Sequence, residues 1–560
     1  MFLPTSQKEL EQLGWKTLDI ILVTGDAYID SPHIGVAVVG KTLLAAGYRV
    51  GIIPQPDTSG PTAIGRLGEP ALFWGVTAGC VDSMISNYTA ARKKRQLDDL
   101  TAGGRNTRRP DRAVITYVNL IRRWFKNTRP VIIGGIEASL RRISHYDYWS
   151  DSVRRSLLFD ARADILVYGM GEKTILELAD CLRSNKPTEN IRGICYKSDR
   201  KPDGFLELPA HQTVSRDRAA FSDMFAAFYR HTDPVTARGL CQKQDTRYLI
   251  QNPPQWPLSP EELDRTYELD YERREHPSHQ AEGPVRALDT IAFSITSHRG
   301  CCGECGFCAI AVHQGRRVVS RSETSILKEA QVLTQHPDFK GIVQDVGGPT
   351  ANMYGMDCKL WQKRGACDNK HCLAPSLCVN LSMGHGRQIR LLRKIRELPN
   401  VRKVFIGSGI RHDLVVADKK NGWPYLEEII SHHISGQIKV APEHSQPHVL
   451  TLMGKPDAEV LTQFARHFKR LNQKQNKKQY LTCYFIAAYP GCTLADMTAL
   501  KAYVRRTLGF KPQQVQIFTP SPSTVASLMY YTEKSFPGGE SLFVEKQIRK
   551  KEQQKQVLVG

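Results

Sequence analysis

Twice along this chain, short apolar runs alternate with helix-length stretches, a pattern that restricts it to parallel sheets covered by helices. Residues 18–54 read LDIILVTGDAYIDSPHIGVAVVGKTLLAAGYRVGIIP. An apolar run ends in a Gly/Asp-rich loop, a small-residue helix follows, and Gly47 turns the chain into a second apolar run. This is a βαβ unit, because parallel neighbours need a crossover between them. Further buried-strand candidates are ALFWGVTAG (71–79), PVIIGG (130–135) and ADILVYG (163–169), and together they give a doubly wound parallel sheet. Ligands of such sheets bind beyond the carboxyl ends of the strands, which here carry Asp26, Asp30, His33, Gly134, Gly135, Gly169 and Gly171. For each glycine the competing reading is tight-turn geometry.

The alternation resumes after residue 287 with TIAFSITS (290–297), GIVQDVGG (341–348), KVFIGSG (403–409), QIKVAPE (437–443), YLTCYFIAAYP (480–490) and QVQIFTP (514–520). Helical stretches such as ETSILKEAQVLT and AEVLTQFARHFKRL fall between them. Six parallel strands with polar or glycine-bearing loops at their carboxyl ends predict a partial (β/α)6 barrel with its active site on that face. The expected organisation is an α/β protein with a Rossmann-like domain over 1–195 and a connector with local helix over 196–286. A barrel over 287–535 and a charged C-terminal tail over 536–560 follow.

Composition decides the setting of the chemistry. No apolar run is long enough to cross a bilayer, and the start, MFLPTSQKELEQLGWK, lacks the order of a secretory signal, so a cytoplasmic location and no membrane partner are expected. Fourteen cysteines in such a compartment do not form a disulfide framework, and eight of them lie between 301 and 378, which points to metal or redox chemistry. Cys80, Cys181, Cys195, Cys241, Cys483 and Cys492 are scattered and read as packing residues. The net charge of +21 favours an anionic partner such as RNA, while basic runs such as Arg92–Arg95, GRNTRRPDR (104–112) and QIRKKEQQK also suit solvated faces or tails. Oligomeric state is not addressed by any feature.

Within SHRGCCGECGFCAIAVHQGRR (297–317) two spacings can be read: Cys301-x3-Cys305-x2-Cys308, or a zinc knuckle built on Cys302, Cys305 and Cys308. The first, with Phe307 before the last cysteine, resembles the signature of the radical S-adenosylmethionine (SAM) superfamily. In that superfamily three thiolates hold a 4Fe-4S cluster whose open iron chelates SAM. Cys302 is then an extra thiol. Gly347, Gly348 and Pro349 end the second strand of the barrel and resemble the glycine motif that accepts the SAM amino group. Ser408 and Glu443, at the ends of the third and fourth strands, could meet its carboxylate and ribose, with a cap or turn as the structural alternative. Arg411 could pair with a carboxylate or form a surface salt bridge. Downstream, Cys358, Cys367, Cys372 and Cys378 read as either an auxiliary iron-sulfur cluster or structural zinc, with His371 a bystander.

The ordered runs SITSHRGCCGECGFCAIAVHQGR, VVSRSETSI, QDVGGPTANMYG, IGSGIRHDL, IKVAPEH, YFIAAYPG and QVQIFTPSPSTVASLMYYT resemble the YgiQ family of radical SAM proteins over almost the whole chain. That resemblance implies an N-terminal domain similar to cobalamin-binding domains, a radical SAM barrel, a reducing electron donor, and SAM cleavage to a 5′-deoxyadenosyl radical that acts on a substrate the family does not name. Cobalamin stays an open alternative for that domain, because VIIGGIEAS (131–139) and ADILVYGMGEKTILEL (163–178) resemble the later parts of cobalamin-associated radical SAM domains. Histidine ligation of cobalt uses D-x-H-x-x-G, whereas this chain has Asp30-Ser31-Pro32-His33-Ile34-Gly35, so the domain is read as one kept for docking or substrate binding. The competing functional class is a zinc-stabilised nucleic-acid-binding protein without catalysis.

Overall fold

The computed structural model describes residues 1–367, 371–509 and 511–560. The chain divides into two compact units: residues 1–258 with 265–292, and residues 259–264 with 293–560.

The first unit is built on a nine-stranded sheet. Its strands are β1 (Ile20–Thr24), β2 (Val50–Pro54), β3 (Phe73–Thr77), β4 (Val131–Gly134), β5 (Ile165–Val167), β6 (Ile194–Ser198), β7 (Leu206–Leu208), β8 (Leu240–Gln244) and β9 (Arg247–Gln251). The order across the sheet is β7-β8-β9-β6-β5-β4-β3-β1-β2, and the parallel half runs β2-β1-β3-β4-β5. Every residue of β1 and β2 is buried, as strands covered on both faces require. This is the doubly wound core read from the apolar runs.

The stretch 196–286, expected as a connector, behaves differently. It supplies β7, β8, β9 and most of β6, added to the sheet mainly by antiparallel pairing. These strands are short and mix polar residues into LCQKQ and RYLIQ, so their apolar signal is weak. The polarity has a use inside the fold: buried Gln242 and Gln244 accept from the N–H groups of Ser144 and Ser156 at 3.1 and 3.0 Å.

In the second unit six parallel strands lie side by side in chain order. β10 (Ser294–Thr296) pairs with β12 (Asp345–Gly347), and β11 (Ile342–Val343), the first half of that same strand, pairs with β13 (Lys403–Val404). A parallel bridge from Ile410 to Val440 joins the third strand to β14 (Gln437–Glu443), which continues to β15 (Tyr480–Ala487) and β16 (Gln514–Ile517). Helices Glu323–Gln335, His385–Arg396, Gly422–His432, Ala458–Lys474 and Leu494–Thr507 return the chain between strands. The result is the expected partial (β/α)6 arrangement. The C-terminal stretch is a second departure from expectation, since 536–560 ends in helix Ile548–Val559 rather than a free tail. Gln554 accepts from Ala488 N–H at 2.9 Å and donates to Cys492 O at 3.2 Å, and buried Lys551 donates to the Tyr530 hydroxyl at 2.8 Å. Its polar composition hides the anchor, because the burying contacts are hydrogen bonds.

Four histidines are buried with their pKa values held down at about 4, chiefly by burial: His145 in the first unit, and His298, His412 and His444 in the second. An unfolded chain takes up these protons near the ordinary value of 6.5, whereas the folded chain resists until about 4, so folded stability is lost as pH falls through that window. Urea midpoints are expected to drop progressively between those two pH values, by up to about 3 kcal/mol per histidine. Replacing each histidine by Gln should flatten the profile.

Candidate active site

The thiol-rich loop follows β10 directly and is cinched at its base. His298–Arg299 pair antiparallel with Val319–Ser320, and Gly300, at φ +80°, has a backbone that would drive any Cβ into Arg317 O. Inside the loop Cys308 N–H donates to Cys305 O at 2.9 Å, and Cys301 Sγ accepts from Gly303 N–H at 3.4 Å. Gly306 fastens the loop to its surroundings, donating to Met453 O at 3.0 Å and accepting from Ala526 N–H at 2.8 Å. Glu304, also left-handed at φ +43°, pairs with Arg316 at 2.8 Å.

Cys301 and Cys308 both lie within electrostatic reach of the Cys305 sulfur. Burial raises the Cys301 and Cys308 thiols, Cys308 to about 12, and in both the Cys305 sulfur adds to the shift. Two buried cations face the same sulfur. Arg411 Nη1 donates to Cys305 Sγ at 3.6 Å while its other nitrogens grip Asp413, with Nη2 to Oδ2 at 2.6 Å. Burial would raise the Asp413 carboxyl, but Arg411 outweighs it and holds that carboxyl down at about 2. Arg411 cannot swing away easily, since Asn352 bonds its N–H and its carbonyl at 2.8 and 3.0 Å. His385 contacts Asn352 at 3.1 Å and is itself held by Asp418 at 2.9 Å.

Lys455 is the second cation. It follows Gly454, the left-handed cap of helix Pro447–Met453, and its Nζ donates to Ala441 O at 2.8 Å, lies 3.5 Å from Glu443 Oε1 and sits 5.6 Å from the centre of the Phe307 ring. Burial alone would favour the neutral amine, yet the Cys305 sulfur and Glu443 carry its pKa above the ordinary value. Lys455, Asp413, Asn352 and His385 were not singled out from sequence. Lys455 had a legible signal in its place after a helix-ending glycine, but nothing in the chain order links it to Cys305.

Glu443 lies where β14 slips register, with φ +68°, a conformation a non-glycine residue holds only when its surroundings impose it. Gly347 and Gly348 are needed sterically. A Cβ on Gly348 would lie 2.6 Å from His298 Nε2, and one on Gly347 would lie 3.1 Å from Ser408 Oγ. The Ser408 hydroxyl is committed to Asp345, whose carboxylate also accepts from the N–H groups of Gly407 and Ser408 at 2.8 and 3.1 Å. Asp345 thus joins the ends of the second and third strands, a role the glycine motif beside it concealed.

The second cysteine group folds beside the first. Cys358 lies on a two-stranded ladder with Leu381–Ser382, and Cys378 N–H donates to Cys372 O at 2.9 Å. Burial pushes the Cys372 thiol up to about 12, with further contributions from Glu304, Cys358, Cys378 and Cys367 in that order. Asp368 to Lys370, inside this motif, lie outside the described residues. His371 approaches Glu304 at 3.7 Å. Cys302 is buried among Val318, Met353, Met356, Leu373 and Leu414, as a packing thiol should be. Among the described residues no three His, Cys, Asp or Glu side chains converge tightly enough to share one metal ion.

At the carboxyl edge of the first sheet the candidates serve the fold. Asp26 pairs with Arg109 at 2.6 Å, Asp30 with Lys41 at 2.9 Å, and His33 Nδ1 meets its neighbour Ser31 Oγ at 3.4 Å. Gly135 and Gly169 take the left-handed φ values of +82° and +77°, and Gly134 and Gly171 flank helix starts. Arg109, in a run that also suited a solvated face, is fully buried and bonds Asp98 at 2.9 Å as well.

A family profile described as the radical SAM N-terminal region matches residues 2–294. A UPF0313 protein of Fusobacterium nucleatum is 51% identical over 558 residues, covering 100% of this chain and 98% of that one. A UPF0313 protein of Thermotoga petrophila is 48% identical, covering 99% and 98%. Among solved structures, the radical SAM methyltransferase TsrM from Kitasatospora setae, with cobalamin and a [4Fe-4S] cluster bound, superposes with a TM-score of 0.53 at 14% identity, covering 96% of this chain and 85% of that one. The cobalamin-dependent SAM radical enzyme OxsB, with aqua-cobalamin bound, gives 0.51 at 12% identity, covering 95% and 58%. These two structures share the fold.

Lys455→Met leaves the buried Glu443 carboxyl without its cation. It is expected to lower urea stability by about 3 kcal/mol, and adding Glu443→Gln to that variant should recover part of the loss. A single-variant cost within a few tenths of a kcal/mol would mean that the pair does not organise the site.

Proposed function

The chain belongs to the UPF0313 (YgiQ) family of radical SAM proteins, and from that premise we infer that it is an enzyme whose Cys301, Cys305 and Cys308 hold a 4Fe-4S cluster that cleaves SAM. The cluster, when bound, supplies one electron to SAM, giving methionine and a 5′-deoxyadenosyl radical that takes a hydrogen atom from the substrate. The observation that carries this reading is the pair of buried cations, Arg411 and Lys455, turned onto the loop that carries Cys301, Cys305 and Cys308. Neutral thiols need no such neighbours. Thiolates holding iron do, because buried negative charge is costly unless compensated.

In this reading the residues of the chain divide the work. Cys301, Cys305 and Cys308 would hold the cluster, and three thiolates for four irons would leave it open to SAM. Gly347, Gly348 and Pro349 present bare backbone for its amino group, and Ser408 and Glu443 lie at strand ends where its carboxylate and ribose are held. Asp345 fixes Ser408, and Lys455 neutralises Glu443. Tyr489 and Phe307, 6.2 Å apart and edge-on, pack beside the loop and help exclude water. Cys358, Cys367, Cys372 and Cys378 are read as a second metal site, an auxiliary iron-sulfur cluster or zinc, supported by the mutual influence of those thiols at Cys372. A reducing electron donor is required, and the charge of +21 favours an anionic substrate such as RNA. The first unit is read as a docking or substrate-binding domain. His33 is assigned no cobalt, because Asp30 is engaged by Lys41 and the imidazole by Ser31. A purely structural zinc protein would share the basic charge but leaves the family relationship without a role.

Air-free purification with iron, sulfide and zinc counts tests the reading, together with an assay for 5′-deoxyadenosine in the presence of dithionite and SAM. Iron-sulfur protein that forms 5′-deoxyadenosine is expected; zinc alone, without SAM cleavage, rejects the enzyme. Cys305→Ala should lose the iron and sulfide of the first cluster and all 5′-deoxyadenosine while the near-UV signal of the first unit persists. Undiminished iron in that variant contradicts the ligand assignment.

A further inference from the structure

Parallel strands joined by returning helices put all their carboxyl ends on one side, where the cysteine loop sits, and all their amino ends on the other. At the amino ends of β11–β16 the loops are bound to one another. Arg402 N–H donates to Gly341 O at 2.8 Å, Tyr480 N–H to Gly436 O at 2.8 Å, and Gln479 Nε2 to Ile430 O at 2.9 Å. The surface these loops form is basic. Lys340 precedes β11, Lys403 opens β13, Lys477 and Lys478 precede β15, and Lys511 precedes β16; all five are exposed. Among the described residues the ion pairs at this end join Arg393 and Arg396 to Glu428 at 2.6 and 3.7 Å and Lys474 to Glu427 at 3.1 Å and do not include these five lysines, of which Lys477 donates to Ser431 O at 3.4 Å.

Helix dipoles account for cations in a last helical turn, as with Arg505 and Arg506, but not for lysines in the loops beyond it. Tyr480 stands among them at the start of β15 with 71% of its surface exposed. The nearby His432 has its pKa lowered by burial and then by Arg396, against an opposing pull from Glu428, with Lys477 and Arg393 adding to the lowering.

From this arrangement we propose that the amino end of β11–β16 is a docking face for a single-stranded polynucleotide, with phosphates on the loop lysines and a base stacked on Tyr480. Cations at the entries to the second, third, fifth and sixth strands offer several separate contacts to the phosphates of one strand, and an exposed aromatic ring matches the face every base offers. The face lies at the opposite end of the strands from the cysteine loop, so it goes beyond the proposed reaction and needs neither iron nor SAM.

The probe is a fluorescein-labelled single-stranded RNA of about twenty nucleotides, long enough to cover a single-strand site. It is titrated with the whole protein by fluorescence anisotropy over a series of KCl concentrations. Affinity should fall linearly on a log–log plot. The triple variant Lys403→Glu, Lys477→Glu, Lys478→Glu should bind at least about ten-fold more weakly at low salt, with the slope shallower by about 0.7 per lost phosphate contact. Tyr480→Ala should weaken binding by about ten-fold while leaving the slope unchanged. Iron content and SAM cleavage should be unaffected in both variants, and Lys94→Glu in the first unit should bind as the parent does. A matched DNA strand separates the two polynucleotides: equal affinity assigns recognition to phosphate and base face, and tighter RNA binding adds a sugar hydroxyl contact. The proposal is overturned if both variants bind as the parent does, if binding ignores salt, or if poly-glutamate competes as well as unlabelled RNA.

Discussion

The arrangement of the second unit depends on a guanidinium that has been denied every alternative. Arg411 is buried, so it must stay charged and must be compensated; Asp413 meets one side of its fork and Cys305 the other. Its backbone is clamped by Asn352, behind which stand His385 and Asp418, so Asp413 and Asp418 on the helix that Arg411 opens, together with Asn352 and His385 from two other segments, fix one cation to within hydrogen-bonding tolerance. A Cβ on Gly303 would collide with that guanidinium, which is why the cysteine loop is glycine-rich on the side facing it. Loop sequence, strand ends and charge are therefore solutions to one packing problem.

The two units treat buried charge differently. At the carboxyl edge of the first sheet, Asp26, Asp98, Asp30, Arg109 and Lys41 are spent on one another, giving closed pairs that specify a shape. In the second unit the compensating groups of Arg411 and Lys455 include thiols, groups that release a proton on binding metal. The same ingredients thus produce a scaffold in one place and reactive potential in the other.

Much of this was legible in the chain order, for a physical reason. The strands β1 to β5 announce themselves because parallel strands buried on two faces must be near-continuously apolar, those of the second unit because their buried positions recur in short runs between helix-length stretches, and the cysteine loop because four thiols crowd into eight positions. What stayed hidden were features without a period. Strands β7 to β9 carry glutamines that satisfy buried backbone groups, helix Ile548–Val559 is anchored by Gln554 and Lys551, and Arg109 is a core residue within a run of apparent surface charge. Lys455 and Asp345 were invisible as site residues because their partners lie on other strands, and only the register of the barrel brings them together.

Helix Ile548–Val559 has one more implication, for how the molecule is made. Its Gln554 supplies hydrogen bonds to the backbone just after β15, and its Lys551 meets Tyr530, yet it is translated after all the strands it braces. While that segment is still inside the ribosomal exit tunnel, the nascent unit must wait with those polar groups facing water, so the turn after β15 is braced only once the last helix has emerged.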